Sequence, residues 1–181
     1  YYYNTTTTVA AAAAIGASAM YAWQFVKLNA IAKAHDWTRF VAMQDMYNLI
    51  YREEEKEMIP MLIEENIACT PFSSLAHGVF AKPWDAKRED SCAAVQNEYI
   101  LKADAEIVKR TYEVAEKYNV SPSRIAMAWN FSKPFITSPL IGASKIKHLD
   151  DAIAAMELTL TDDEIKYLEE PYVPHNTYGF R

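Results

Sequence analysis

The decapeptide Pro139-Leu140-Ile141-Gly142-Ala143-Ser144-Lys145-Ile146-Lys147-His148 reads as a buried strand that stops abruptly at the start of a helix. Leu140 and Ile141 supply an apolar strand end, Gly142 lets the backbone approach a ligand closely, and Ser144 with Lys145 opens the helix. A helix N-terminus carrying Lys145, Lys147 and His148 favours a phosphate, because free N–H groups and the macrodipole attract anions and cationic side chains add charge-assisted bonds. The same residues also suit a plain Gly turn ahead of a Ser-capped helix with solvated lysines.

Working outward, Ile15-Gly16-Ala17-Ser18 repeats the tetrapeptide Ile141-Gly142-Ala143-Ser144, so a strand ending in Gly-Ala-Ser recurs near the other end of the chain. Between them lie the short apolar run Phe40-Val41-Ala42-Met43, closed by Gln44, and a second run at 67–72 that passes into Ser73. A fourth strand is expected at 136–141. Amphipathic helices are expected at 20–37, with Phe25, Leu28, Ile31 and Ala32 at helical spacing, and from Arg52-Glu53-Glu54-Glu55 into Met58, Ile59, Leu62 and Ile63, where Pro60 marks a kink or a later true start. Others follow at 103–118, after the Ser121-Pro122 cap, from about Lys145 through Leu149, Ile153 and Met156, and at 165–170 behind a Thr161 to Glu164 capping box.

Strands alternating with helices predict βα units around a parallel sheet, whose ligands sit beyond the C-terminal strand ends. Ser18, Gln44, Phe72-Ser73 and Gly142 to Ser144 therefore converge on one face. On their own, Ser18 and Gln44 suit a helix cap and a strand-end polar residue, and Phe72 a core position. A closed barrel of eight βα units needs about 250 residues, so this chain amounts to roughly half of one.

The chain has 181 residues, 51% hydrophobic and 23% charged, enough apolar material for one globular domain. With a net charge of −6, general attraction to nucleic acid or anionic membrane is not expected, and any anion site is local. Cys69 and Cys92 have neither metal-ligand spacing nor disulfide density, which predicts a core thiol and a loop thiol in a reducing, cytoplasmic setting. No metal site is expected. No apolar run approaches a membrane span and no targeting signal is visible. Blocks of Tyr, Thr and Ala over residues 1–14 lack any pattern of core and surface and read as placeholder or unassigned sequence. A long loop is expected at about 73–102 and a stiff tail at 171–181, with His35 and His175 as surface residues of a helix end and of that tail.

From Ile15 onward the sequence resembles the C-terminal half of the aldo-keto reductase family. The resemblance rests on Ile15-Gly16-Ala17-Ser18, Gln44 with Tyr47-Asn48-Leu49, the segment Thr70-Pro71-Phe72-Ser73-Ser74-Leu75-Ala76-His77-Gly78, and Leu140-Ile141-Gly142-Ala143-Ser144, four segments in order, each at a strand end. The closing stretch Leu168 to His175 is similar to a microbial or fungal, aryl-alcohol-dehydrogenase-like branch. The resemblance implies a (β/α)₈ TIM barrel of which this chain supplies strands 5 to 8 with their helices, and NADPH-dependent reduction of small-molecule aldehydes and ketones. It implies that Ser18 and Gln44 bond the nicotinamide carboxamide, that Phe72 stacks on the ring where many members have Tyr or Trp, and that Ser73, Leu75 and Gly78 approach the pyrophosphate.

Gly142, Ser144 and Lys145 match the segment at the adenosine 2′-phosphate, His148 stands where many members carry Arg, and Asp151 falls near an adenine-contacting acid, followed by Ala152 where Asn is frequent. Ala19 stands where Ser or Asn often helps hold the carboxamide, and Asp45 makes its region more acidic than usual. Family chemistry depends on an Asp, Tyr, Lys and His from the first half of the barrel, and no segment here matches them. No catalytic residue is therefore assigned to this chain. The alternative is a non-catalytic, cofactor-sensing or structural relative; oligomeric state is open.

Overall fold

The computed structural model describes residues 14–85 and 100–178. Most of the tyrosine, threonine and alanine blocks, the middle of the expected long loop and Cys92 lie outside the described residues. Three parallel strands, β1 (Ile15–Ser18), β2 (Phe40–Gln44) and β3 (Ala68–Cys69), form one sheet in the order β1-β2-β3. Ser18 lies beside Gln44 and Met43 beside Cys69, so the polar strand ends share one level. Gly16 is required by proximity: a Cβ there would meet the Ala42 carbonyl oxygen at 3.2 Å.

Parallel strands need crossover connections, and here α1 (Ala22–Ala34) and α2 (Met58–Glu64) supply them. Ala17, Met43 and Cys69 pack against Phe25, Met58 and Leu62 of these helices. A 3-10 turn over Glu53–Lys56 precedes α2, so Pro60 sits in the first helical turn, where its missing N–H breaks no bond. The chain then adds α3 (Asp104–Tyr118), α4 (Pro122–Phe131), α5 (Ile146–Met156) and α6 (Asp162–Glu169). Ser121 Oγ accepts the Arg124 N–H at 3.2 Å, and Thr161 and Glu164 exchange bonds at 3.3 and 2.9 Å, as both caps were expected to do. Trp129 of α4 is fully buried in a second core with Tyr47, Ile107, Ile125 and Leu168. Among the described residues, no helix is long and apolar enough to cross a membrane.

Three expectations need correction. The fourth strand is reduced to one parallel bridge, Cys69 to Ile136, followed by a Leu140 N–H bond to Pro71 O at 2.8 Å. Pro139 has no N–H to donate, Leu140 and Ile141 are exposed, and the stretch is paired only on its β3 side among the described residues. Secondly, α1 and α5 do not bury their expected stripes. Leu28 and Ile31, and likewise Leu149, Ile153 and Met156, are exposed, because the layer beneath each helix covers only narrow faces, Ala22, Phe25 and Ala32 in α1 and Ala152 and Ala155 in α5.

The third concerns the tail, which is docked through a buried His175. Its Nε2 lies 3.0 Å from Asp104 Oδ2, its N–H donates to Glu53 Oε1 at 2.8 Å, and its ring stacks on Tyr172. Tyr172 donates its hydroxyl to the same Glu53 oxygen at 2.7 Å, and the Tyr178 N–H donates to the Tyr51 hydroxyl at 2.8 Å. His35 behaves as expected: it closes α1 and stacks on Trp37.

Candidate functional site

The three strand ends lead into loops tied to one another. Ser18 Oγ donates to the Gln44 carbonyl at 2.8 Å, and the Ala19 N–H is shared between that carbonyl and Asp45 Oδ1 at 3.2 and 3.1 Å. The Phe72 N–H donates to Asp45 O at 3.0 Å and the Tyr47 N–H to Phe72 O at 3.3 Å, so the loops after β2 and β3 run together. Asn48, fully buried, donates from Nδ2 to Ser73 O at 3.1 Å and accepts the Ile50 N–H at 3.1 Å. Strain gathers in these loops. Ala19, Ser73, Ala76 and His77 have φ of 51°, 63°, 48° and 51°, the left-handed region that side chains disfavour, and Gly78 follows at 88°.

A cleft of about 510 Å³, within the ordinary range for small-molecule sites, opens between this strained loop and the stretch leading into α5. Of the residues singled out from sequence, Phe72, Ser73, Leu75, Gly78, Gly142, Ser144 and His148 line it together. Ser18 and Gln44 sit beside one another at the neighbouring strand ends, outside that lining. Lys145 and Asp151 are also outside it, and Asp151 is instead held by Arg124 at 2.8 Å. Ser74, His77 and Lys82 line the cleft without having been singled out as ligands. A cue for Lys82 is a lysine four residues beyond Gly78, but that spacing alone is common on surfaces.

No Asp or Glu lines the cleft, whereas His77, Lys82 and His148 do, in a chain with an excess of acidic residues. Burial pushes the His77 imidazole below its ordinary pKa. Ser73 Oγ and Ser74 Oγ are enclosed and have no hydrogen-bond partner among the described residues. The N-terminus of α5 also differs from the Ser-capped alternative. Lys145 occupies the cap position, no side chain caps the helix, and Ser144 Oγ reaches His148 Nδ1 at 3.4 Å instead.

A separate feature beside the strand ends is acidic. Asp45 and Glu54 are both buried beside Cys69 around a void of about 10 Å³. Burial raises the Asp45 carboxyl to about 7, and burial together with the Asp45 and Glu53 charges raises Glu54 to about 8. The Cys69 thiol is pushed to about 12 by burial and by the same two carboxyls, which makes it an inert core thiol.

Comparison with known proteins gives the site its relatives. The chain is 39% identical over 168 residues to a versiconal hemiacetal acetate reductase of Aspergillus parasiticus, covering 88% of this chain and 48% of that protein. It is 41% identical over 165 residues to a protein assigned as an aryl-alcohol dehydrogenase in Schizosaccharomyces pombe, covering 88% and 46%. An aldo-keto reductase of Fusarium vanettenii is 38% identical over 170 residues, covering 91% and 45%. The chain thus spans about half the length of the curated relatives it matches. The sequence model of the aldo/keto reductase family matches residues 11–172, most of this chain, and the chain belongs to that family.

Proposed function

We propose that this chain is the cofactor-holding, C-terminal half of a cytoplasmic, NADP(H)-dependent (β/α)₈ reductase acting on small aldehydes or ketones. The observation that carries the reading is the cleft: free of carboxylates, flanked by Lys82, His77 and His148, and placed at the strand ends. Its residues fit a dinucleotide phosphate. Gly142 leaves open space, since a Cβ there would meet nothing within 4 Å, the serine hydroxyls have unused hydrogen-bonding capacity, and the α5 N-terminus lacks a side-chain cap. A bound nicotinamide dinucleotide phosphate supplies the hydride equivalent for carbonyl reduction.

In this reading Phe72 offers the ring platform and Ser18 and Gln44 orient the carboxamide. Ser73, Leu75 and Gly78 hold the pyrophosphate, and Ser144, Lys145 and His148 hold the 2′-phosphate. Asp151, bound to Arg124, serves the adenine end only by bracing α5 against α4. Proton delivery to the carbonyl oxygen belongs to the family's Asp, Tyr, Lys and His, which this chain does not match. The names of the relatives, a reductase and a dehydrogenase, agree with carbonyl and alcohol interconversion.

Lys145→Glu tests the phosphate assignment in a fluorescence titration. It should weaken NADPH at least about tenfold while leaving NADH within twofold. Equal losses for both would return α5 to being an ordinary helix start. Binding of NADPH without its oxidation by a reactive aromatic aldehyde would favour the cofactor-sensing alternative.

A further inference from the structure

We propose that Asp45 is a positioning residue for the nicotinamide end of the site: its carboxylate holds the loop after β1 against the loops after β2 and β3, and so sets how Ser18, Gln44 and Phe72 face a common ring. The inference rests on the dinucleotide reading for what those three residues hold.

Asp45 is tied to all three loops. A peptide bond joins it to Gln44, its carbonyl oxygen accepts the Phe72 N–H at 3.0 Å, and its Oδ1 accepts the N–H of Ala19, the residue after Ser18, at 3.1 Å. The loops after β2 and β3 are joined again by a Met46 to Phe72 bridge and by the Tyr47 N–H, which donates to Phe72 O at 3.3 Å. Backbone alone keeps that pair together. The loop after β1 has less to hold it: Ser18 Oγ and the Ala19 N–H both draw on the single Gln44 carbonyl, at 2.8 and 3.2 Å, and the Asp45 carboxylate is the further acceptor.

Ala19 needs that acceptor. Its φ of 51° lies in the left-handed region, and its methyl group cannot bond the turn from within. A carboxylate restrains an N–H more strongly than a neutral carbonyl does, and Asp45 is only 6% exposed, so little water competes for it. The placement does not favour the fold itself. Asp45 Oδ2 has no partner among the described residues, and the small void that Asp45 shares with Glu54 is otherwise walled by groups such as Met58, Ile59 and Leu62. An apolar side chain suits those walls better, but it gives up the hold on Ala19. What the carboxylate secures is the place of Ser18 relative to Gln44 and Phe72, so that a flat ring and its carboxamide meet groups already in position.

Asp45→Leu removes the acceptor without opening a cavity, and Asp45→Ala removes it in a second way should leucine prevent folding. Asp45→Asn keeps an oxygen for the Ala19 N–H. Each full-length variant is titrated with NADPH and with adenosine 2′,5′-bisphosphate, which carries the 2′-phosphate end and no nicotinamide. The leucine and alanine variants should bind NADPH about tenfold more weakly, the loss expected for one hydrogen bond to a charged group, and the bisphosphate within about twofold of wild type. Asp45→Asn should bring NADPH back to within about threefold of wild type. A merely structural role moves both probes together, so equal losses for both overturn the inference. Wild-type NADPH affinity in the leucine and alanine variants also overturns it, as does an asparagine variant as weak as they are, and each of these results leaves the dinucleotide reading intact. A wild-type chain that binds neither NADPH nor NADH overturns that reading, and the role of Asp45 falls with it.

Discussion

Around Arg52 the chain satisfies its enclosed polar groups several times over. Nε and Nη2 bind the two oxygens of Glu55 at 2.9 and 2.8 Å, Tyr47 donates its hydroxyl to Glu55 at 2.6 Å, and Trp129 Nε1 donates to Glu169 at 2.7 Å. Lys133 also pairs with Glu169, and the guanidinium lies 5.1 Å over the Tyr172 ring. In the loop carrying Ser73 and Ser74 the opposite holds, with two hydroxyls unpartnered among the described residues and left-handed backbone at three non-glycine positions. Saturated polar groups join the 3-10 turn, α4 and α6 into one body, whereas the strained loop leaves two enclosed hydroxyls unpaired among the described residues.

The sharpest way to break this comparison is Arg52→Ala. It removes the guanidinium shared by Glu55 and Glu169 while Lys133 stays on Glu169, and should lower stability by about 3 kcal/mol in urea unfolding. Burial works against the charged form of Glu55, but the Arg52 and Tyr47 hydrogen bonds hold its carboxyl below the ordinary range, so the variant gives up that stabilisation too. A loss below 1 kcal/mol would mean that the network is ornament on an apolar core.

Asp45 and Glu54 lie between the two extremes: enclosed like the first cluster, incompletely partnered like the second, with Asp45 Oδ2 lacking a partner among the described residues. Their folded-state values of about 7 and about 8 exceed the ordinary 3.8 and 4.5, so the folded chain binds more protons than the unfolded chain in between. Their contribution to stability is complete below about pH 4 and is lost as pH rises through 7 to 8. Asp45→Asn should flatten that decline and raise stability at pH 8 by about 2 kcal/mol, read from melting curves at pH 5 and 8. An unchanged pH slope would show that water or a counter-ion already compensates the pair.

The smallest effect is expected at Gly78. Its φ of 88° is unfavourable for other residues, and an added Cβ would meet nothing within 4 Å. Gly78→Ala therefore isolates backbone strain and should cost about 1 kcal/mol in denaturant unfolding, with no packing component. A larger loss would reveal a steric demand that the open cleft does not predict.

Much of the arrangement was legible because it depends on local rules. Apolar runs of four or five residues closed by Ser18 and Gln44 could only be short strands, and the Ser121-Pro122 and Thr161 signals set helix starts without reference to the rest of the fold. What escaped depends on distant partners. The run at 136–141 has strand composition but finds pairing only on its β3 side, and the stripes of α1 and α5 need a covering layer that sequence spacing cannot supply. Ser74 differs from Ser73 in nothing visible along the chain. Nothing local signals that Asn130, 56 residues away, reaches the Ser74 carbonyl. His175, set in a proline-flanked tail, gave no sign that Asp104 would bury it. Asp45 did leave a cue, a carboxylate directly after an apolar strand, though not the identity of its neighbour Glu54.

The docked tail also bears on the order in which the chain can fold. Tyr172, His175 and Tyr178 reach partners 119, 122 and 127 residues earlier, at Glu53 and Tyr51. Contacts of such sequence separation close large loops and form late. During synthesis Glu53, Tyr51 and Asp104 emerge from the ribosome long before the segment that covers them, so the face of the molecule they share stays open until translation has passed Tyr178. A nascent chain stalled earlier lacks this seam, a window in which chaperones and proteases meet groups that the finished fold covers.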